Sequence, residues 1–372
     1  MAKRGENIYH RKDGRWEGRY IKGHKPDGKP QFGYVYGHSY NDVKKLLTPL
    51  KAACSSISME AIYTKPFRDY LLVDLAEKRA GRIKASSYDS YYRIVHNHIL
   101  PALGSYPMHR LTARHVRQFL SALYAGGLSD GTVRNIFRYL CHVIRSAVKS
   151  GALATDICEG IALPKAAPKT VRALSRAEQQ RLENEAYALL RKNGPGLEVI
   201  LALYTGMRVG EICALRWEDV DFENDIIHIN HTLQRVNPHG RGTKTIVNLG
   251  PPKSNSSLRK IPMSDQLSRV LHHARCSAHG EYVIAGRQGF TEPRVVQYRF
   301  EQMLKRAQLP HVGFHALRHS FATRCMELNV DVATISKLLG HSSAKLTLDI
   351  YTDSLLEHRR EAICKLDGLA AA

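Results

Sequence analysis

Between residues 57 and 163 apolar side chains return every three or four positions, the period of a helix with one buried face. The pattern breaks at Gly81, Pro101, Gly104, Gly126-Gly127 and Gly151, which predicts helices over Tyr63–Ala80, Ser86–Ile99, Thr112–Tyr124 and Asp130–Ser150. Before residue 57 the period is two. Asp13-Gly14 and Asp27-Gly28 favour tight hairpin turns, and Phe32, Tyr34 and Tyr36 alternate, so they share one sheet face. Ser39 then reads as an N-cap for a helix carrying Val43, Leu46, Leu47 and Leu50, shortened or kinked by Pro49. This first module is a three-stranded sheet with one covering helix.

Leu163-Pro164-Lys165-Ala166-Ala167-Pro168-Lys169 reads as a linker, because its prolines and lysines continue neither flanking element. Beyond it the pattern is mixed. Ser175–Arg191 is a polar-faced helix and Leu197–Tyr204 an apolar, buried one. Thr205-Gly206 breaks it, and a new helix starts near Met207 and runs through Ile212 and Leu215 to Trp217, which puts Arg208 in a first turn. Asp225–Ile229, Thr243–Asn248 and Arg259–Pro262 read as short strands, with Lys253 in the turn between the last two. Phe314, Leu317, Phe321, Cys325 and Leu328 recur at helical spacing and predict an amphipathic helix with a buried stripe. The fold class is therefore multidomain and mainly α with small β-sheets: a sheet plus helix over 1–56, a helical bundle over 57–163, and a mixed α/β domain over 173–372.

A chain of 372 residues suffices for such a division. Its net charge of +21 is what sets it apart. Residues 1–56 hold 12 basic and 5 acidic groups, residues 57–163 hold 14 and 8, and residues 164–372 hold 29 and 21. Every segment is positive, so no single basic tail explains the total, and a polyanion touched along the whole length does. The seven cysteines are scattered without a Cys-x-x-Cys pair, which argues against a disulfide framework or zinc ribbon and for a reducing cytosol. His272-His273 and His311/His315 have no Cys or Glu partner at metal-ligand spacing. There is no long apolar run and no signal peptide, hence no membrane role is expected.

His315 and Arg318 lie one helical turn apart, a pairing that makes sense around an anion because the guanidinium fork matches phosphate oxygens. Taken alone, His-x-x-Arg reads first as a surface histidine beside a solvated arginine. Glu211, one turn after Arg208, is placed to orient that arginine or a nearby histidine; a plain surface ion pair is the alternative. Arg11, Lys12, Arg15 and Arg19 sit on the first hairpin, and a two-stranded ribbon fits a major groove. Arg134, Arg138 and Arg145 line one helical face within reach of a phosphate backbone. Solvated basic edges and faces would account for both sets as well.

In order along the chain stand Thr205-Gly206-Met207-Arg208-Val209-Gly210-Glu211, then Pro252-Lys253-Ser254 with Leu258-Arg259-Lys260-Ile261-Pro262. They are followed by His315-Ala316-Leu317-Arg318, Leu338-Leu339-Gly340-His341 and Tyr351. Together these resemble the tyrosine recombinase (phage and conjugative-transposon integrase) family, across residues 173–356. The resemblance implies that Tyr351 attacks a scissile phosphate to give a 3′-phosphotyrosyl link and a free 5′-hydroxyl. Arg208 and Arg318 would clamp the phosphate, and Lys253 would protonate the leaving 5′-oxygen. His315 would accept a proton or bind the phosphate, with His341 as a further donor and Glu211 in support. No cofactor is implied: the bond energy stays in the ester, and no phosphate-binding glycine loop is present.

The same resemblance makes residues 1–56 an arm-type DNA-binding domain, 57–163 a core-binding clamp, and 173–372 the catalytic domain. Its tail, about 354–372, either docks on a neighbouring subunit or folds back. The implied partners are double-stranded DNA at core-type and arm-type sites, three further copies in a homo-tetramer, an excision factor and a host DNA-bending protein. The expected place is the bacterial cytosol, on DNA. Two other readings start from the same residues: a DNA-binding regulator with a decayed site, which would lack Tyr351, Arg208 or Arg318, and a type IB topoisomerase, which would not need the basic sheet module.

Overall fold

The computed structural model describes residues 7–11, 13–24, 30–50, 65–80, 83–164, 172–239, 244–252, 255–286 and 289–341, with 343 and 348. They fall into two compact units, divided between Ala167 and Pro168.

The first unit opens with strands β1 (Ile8–His10), β2 (Trp16–His24) and β3 (Pro30–Gly37) in an antiparallel sheet of that order. Trp16, Tyr20 and Val35 pack on a small core of Ile8, Val43 and Leu47, the latter two from helix α1 (residues 40–50). Ser39 caps this helix by accepting from Asp42 N–H, and the helix continues through Pro49. The opposite sheet face carries Phe32, Tyr34 and Tyr36, all exposed, as the alternation requires.

A separate cluster holds the helices α2 (Phe67–Ala80), α3 (Ala85–Ile94), α4 (Leu100–Leu103), α5 (Ala113–Ala125) and α6 (Asp130–Lys149). Helix α2 starts at Phe67, after a bend at Lys65 and an isolated bridge from Pro66 to Pro107; Tyr63, where the helix was expected to begin, lies outside the described residues. Between α3 and α4 one turn, Val95–Ile99, is π-helical. Pro101, which has no N–H to continue the ladder, follows directly.

The second unit contains α7 (Arg176–Leu190), α8 (Leu197–Thr205), α9 (Val209–Ala214), α10 (Asp265–Cys276), α11 (Pro293–Arg306), α12 (His315–Glu327) and α13 (Val332–Leu339). Its strands are β4 (Val220–Asp221), β5 (Ile226–Ile229), β6 (Thr232–Val236), β7 (Ile246–Gly250) and β8 (Arg259–Pro262). Three strands were expected from the sequence; β4 and β6 are additional. Strands β4, β5 and β8 make one sheet and β6 pairs with β7 in another, so the segment between β7 and β8 joins two sheets and does not close a hairpin.

Three further expectations are corrected. Helix α9 ends at Ala214, where Leu215 turns extended and its carbonyl accepts from Val283 N–H. Arg208 occupies the N-cap, also extended, one residue before the first turn. Leu328 is 77% exposed, and α12 is not amphipathic: Ala316, Leu317, Arg318, Ser320, Ala322, Thr323 and Met326 are all buried. The helix sits in the domain's interior, against α8 and α13, and small side chains line several of its sides.

Candidate active site

Two helix ends prepare the site. Helices α8 and α13 both close on left-handed glycines, Gly206 and Gly340, each with φ of +64°. A Cβ on Gly206 would stand 2.5 Å from Phe321 Cδ1, and one on Gly340 would stand 2.9 Å from Ser256 O. Both positions thus need glycine for conformation and for space. The last carbonyls of these helices lack partners within the helix, and here they accept from arginines.

Arg318 lies 2% exposed in the first turn of α12. It donates to Gly206 O at 2.8 Å and to Leu339 O at 2.6 Å, which ties α12 to the ends of α8 and α13. Among the described residues no carboxylate pairs with it. Burial, followed by the nearby charges of Arg208 and Arg259, lowers its pKa to about 9, against the opposing pull of Glu211. Most Arg318 side chains at pH 7 remain charged, and among the described residues no carboxylate bonds to them directly.

Arg208 donates through its side chain to Glu211 Oε1 at 2.7 Å and to Gly340 O at 3.3 Å, while its backbone N–H donates to Glu211 Oε2 at 2.9 Å. Glu211 is 3% exposed. Burial would raise its carboxyl, but Arg259 and Arg208 outweigh that and hold it below the usual carboxylate range. The sequence reading foresaw this orientation of Arg208 by Glu211. It did not foresee Arg259, which donates to Glu211 Oε2 at 2.8 Å, to Leu338 O at 2.6 Å and to Ser257 O at 3.1 Å. One signal pointed there: in β8, Arg259 is in phase with buried Ile261, while Lys260 and Pro262 are exposed.

His315 stands at the first position of α12 as an exposed residue. Desolvation of its inner side, then His319, Arg318 and Arg208, pull its pKa down to about 4. His341 follows the α13 cap, and its N–H donates to Ser336 O at 3.0 Å. Burial, then Arg318 and Arg208, bring it to about 4 as well. Both imidazoles are neutral at pH 7, and each has one ring nitrogen able to donate and one able to accept. His319, also missed from sequence, meets His315 edge-on with centroids 4.9 Å apart; its Nδ1 is buried without a hydrogen bond.

The structure thus brings Arg208, Glu211, His315, Arg318 and His341 to one place. Lys253 and Tyr351 lie outside the described residues. Beside the site, a cavity of about 420 Å³ is lined by Arg208, His315, Thr232 and Gln234 among others. Among the described residues no group of three His, Cys, Asp or Glu side chains is placed to hold a metal ion, and no helix is long and apolar enough to cross a membrane.

The remaining candidates are elsewhere. On the N-terminal sheet Arg19 lies 4.4 Å over the Phe32 ring, and Arg11 and Arg15 lie 5.7 and 5.9 Å over Tyr36. Arg11 also donates to Glu17 and Arg15 to Asp13. Lys12 lies outside the described residues. On α6, Arg134 donates to Pro164 O, Arg138 to Asn135 at 3.3 Å and Arg145 to Asp156 at 3.1 Å. Arg138 and Arg145 are exposed.

Residues 170–358 match the model of the phage integrase family, and residues 67–124 match that of the phage integrase N-terminal SAM-like domain. Among curated proteins, the tyrosine recombinase XerC-like protein of Caldanaerobacter subterraneus subsp. tengcongensis is 26% identical over 323 residues, covering 80% of each chain. Among solved structures, the Tn1549 transposon integrase in complex with a circular intermediate DNA superposes with a TM-score of 0.68 at 19% identity, over 80% of this chain and 99% of that one. A lambda integrase tetramer bound to a Holliday junction gives 0.58 at 19% identity, over 91% and 96%. The structural likenesses bear on the fold. The family match, which spans residues 170–358 and takes in Arg208, Arg318 and Tyr351, decides the identity: the chain belongs to the phage integrase family and is a tyrosine-type site-specific DNA recombinase.

Proposed function

We propose that the chain cuts and rejoins DNA to integrate and excise a mobile element, with Tyr351 as the nucleophile. The observation that carries this reading is the pair Arg208 and Arg318, both held on the carbonyls of helix ends. Two guanidinium forks fixed on helix-end carbonyls, only one of which, Arg208, is also bonded to a carboxylate, leave positive charge for one tetrahedral anion. As Tyr351 Oη attacks phosphorus, charge builds on the nonbridging oxygens, and groups already oriented stabilise it without reorganising. Neutral His315 is available to take the phenolic proton, and His341 to donate to the phosphate. Lys253 supplies the proton to the leaving 5′-oxygen. A 5′-hydroxyl from a partner strand then attacks the phosphotyrosine, releases Tyr351 and restores the starting protonation.

In this reading residues 1–56 hold arm-type sites, 57–163 clamp core-type DNA, and 173–372 carry the chemistry. The exposed arginine–aromatic face of the first sheet supports the first assignment. Four copies act on two DNA sites, with the tail over 354–372 exchanged between neighbours, and an excision factor and a host bending protein set direction. The work is done in the cytosol.

The decisive experiment is a nicked suicide substrate. The native chain is expected to accumulate a covalent protein–DNA adduct, and Tyr351→Phe to bind the same DNA without forming one. An adduct in the variant would move the nucleophile to another residue.

A further inference from the structure

The cavity of about 420 Å³ that shares Arg208 and His315 with the active site carries polar groups the proposed chemistry does not use. Thr232 and Gln234 line it from β6 and Gln297 from α11, and no acidic side chain lines it. Among the described residues, the Thr232 hydroxyl and the Gln234 and Gln297 amides make no hydrogen bond. Thr232 and Gln234 are half-buried, and their side-chain polar atoms are not sealed from solvent.

Their neighbour Arg235 is committed. It donates to both carboxylate oxygens of Glu292, the N-cap of α11, and to the carbonyl and hydroxyl of Thr245 at 3.0 and 2.8 Å. Strand β6 is thereby tied to α11 and to the residue ahead of β7. It also lies so close to α9 that a Cβ on Gly210 would stand 2.7 Å from Thr232 Oγ1. Arg208 is the N-cap of that helix, so the unused donors are held in place beside a phosphate-binding arginine.

One strand of duplex DNA carries a phosphate about every 3.4 Å of helix axis. With the scissile phosphate on Arg208 and Arg318, the next one along the strand passes close by. A wall with two arginines, uncommitted donors and no acid suits that second anion. Contacts of this kind position a duplex without reading its sequence. We propose that Thr232 and Gln234 are positioning residues that hold the phosphate next to the scissile one. The hydroxyl and the amide N–H donate to its nonbridging oxygens and fix the register of the strand before Tyr351 attacks. This rests on the scissile phosphate being bound by Arg208 and Arg318.

The test uses the suicide substrate with a methylphosphonate replacing, in turn, each of the two phosphates that flank the cut. Single-turnover cleavage by the native chain should fall about tenfold at one of the two positions. Gln234→Glu sets a carboxylate against that phosphate and should slow cleavage of the unmodified DNA about a hundredfold. The same variant should recover about tenfold where that phosphate is neutral, a rescue that a merely structural role would not give. Equal losses on both DNAs, or a native rate indifferent to both replacements, overturn the proposal and leave Tyr351 in place. A rate that follows the base pair beside the cut and not its phosphate also overturns it, since the wall then reads sequence. Failure of the native chain to form any adduct on unmodified DNA takes down the underlying phosphate site as well. Should Gln234→Glu fail to fold, Thr232→Val, close in shape but without the donor, decides the matter: it should be slow on unmodified DNA and lose sensitivity to the replacement.

Discussion

Glu211 and Arg259, 48 residues apart in sequence, form a buried ion pair at 2.8 Å. The same carboxylate also accepts from Arg208. Glu211 shares its two oxygens between the arginines, so α9 and β8 position Arg208 jointly. Removing one partner of such a pair strands the other charge in the interior, at a cost of about 3–5 kcal/mol. Arg259→Ala should therefore lower the unfolding midpoint and slow cleavage, although Arg259 touches no substrate in the proposed mechanism. Arg259→Lys should restore much of the stability but less of the rate, because one ammonium cannot serve Glu211, Leu338 O and Ser257 O with the same fork. Equal recovery of both would make Arg259 a purely structural residue.

Arg318→Ala should cost about a hundredfold or more in cleavage with a smaller loss of DNA affinity, since its contact matters most as charge develops on the phosphate. Single-turnover cleavage and equilibrium binding on the same core-type duplex measure the two. Parallel losses would demote Arg318 to a positioning contact.

The histidines give a pH dependence with a definite sign. In the folded chain His315 and His341 titrate near 4, against an ordinary value of 6.5. Between those values the unfolded chain binds more protons than the folded one, so stability rises with pH through this window and is progressively lost as pH falls from about 6.5 toward 4. A phosphate placed among Arg208, Arg318 and the imidazoles should raise both values again. DNA binding near pH 5.5 should then take up protons, visible as an apparent enthalpy that depends on the buffer's ionisation heat. No uptake in the native chain would mean that the phosphate does not approach these rings.

Gly206→Ala should destabilise the domain by about 2 kcal/mol or more, because a left-handed alanine is strained and its Cβ meets Phe321. The Gly206 carbonyl that holds Arg318 shifts with it, so cleavage should fall further than stability alone explains. Ala at Gly127, also left-handed but with open space around it, is the control: it should carry the strain alone, leaving cleavage unchanged.

Deleting residues 1–56 should remove protection of arm-type DNA in a footprint while cleavage of a core-type suicide substrate persists. An unchanged footprint would assign the basic sheet to a protein partner.

Much of this was legible before any coordinates. Caps, glycine breaks and period placed α6, α7 and α8 within a residue or two, and alternation put Phe32, Tyr34 and Tyr36 on one sheet face, which the structure shows to be the exposed one. The failures share a cause. Strand β6 lies within Thr232–Val236, where Gln234 and Arg235 interrupt any apolar run, and its pairing with β7 is a long-range choice that no local pattern encodes. Helix α12 was read as amphipathic because a helical period needs only one apolar stripe. Its other sides are buried through Ala316, Ser320, Ala322 and Arg318, residues whose size or charge conceals an interior position. Arg259 was hidden similarly: its partners lie on α9 and ahead of the α13 cap, far away along the chain.

The carbonyl cradles of Arg318 have one further consequence. A guanidinium held by a carboxylate is already neutralised, and an incoming phosphate must compete with that acid. One held by the ends of α8 and α13 is aimed but still carries its whole charge. Among the described residues Arg318 is in that sense half of an ion pair, its charge opposed by burial and by Arg208 and Arg259. Sulfate, pyrophosphate or heparin should therefore act both as thermal stabilisers of the free chain and as inhibitors of its reaction.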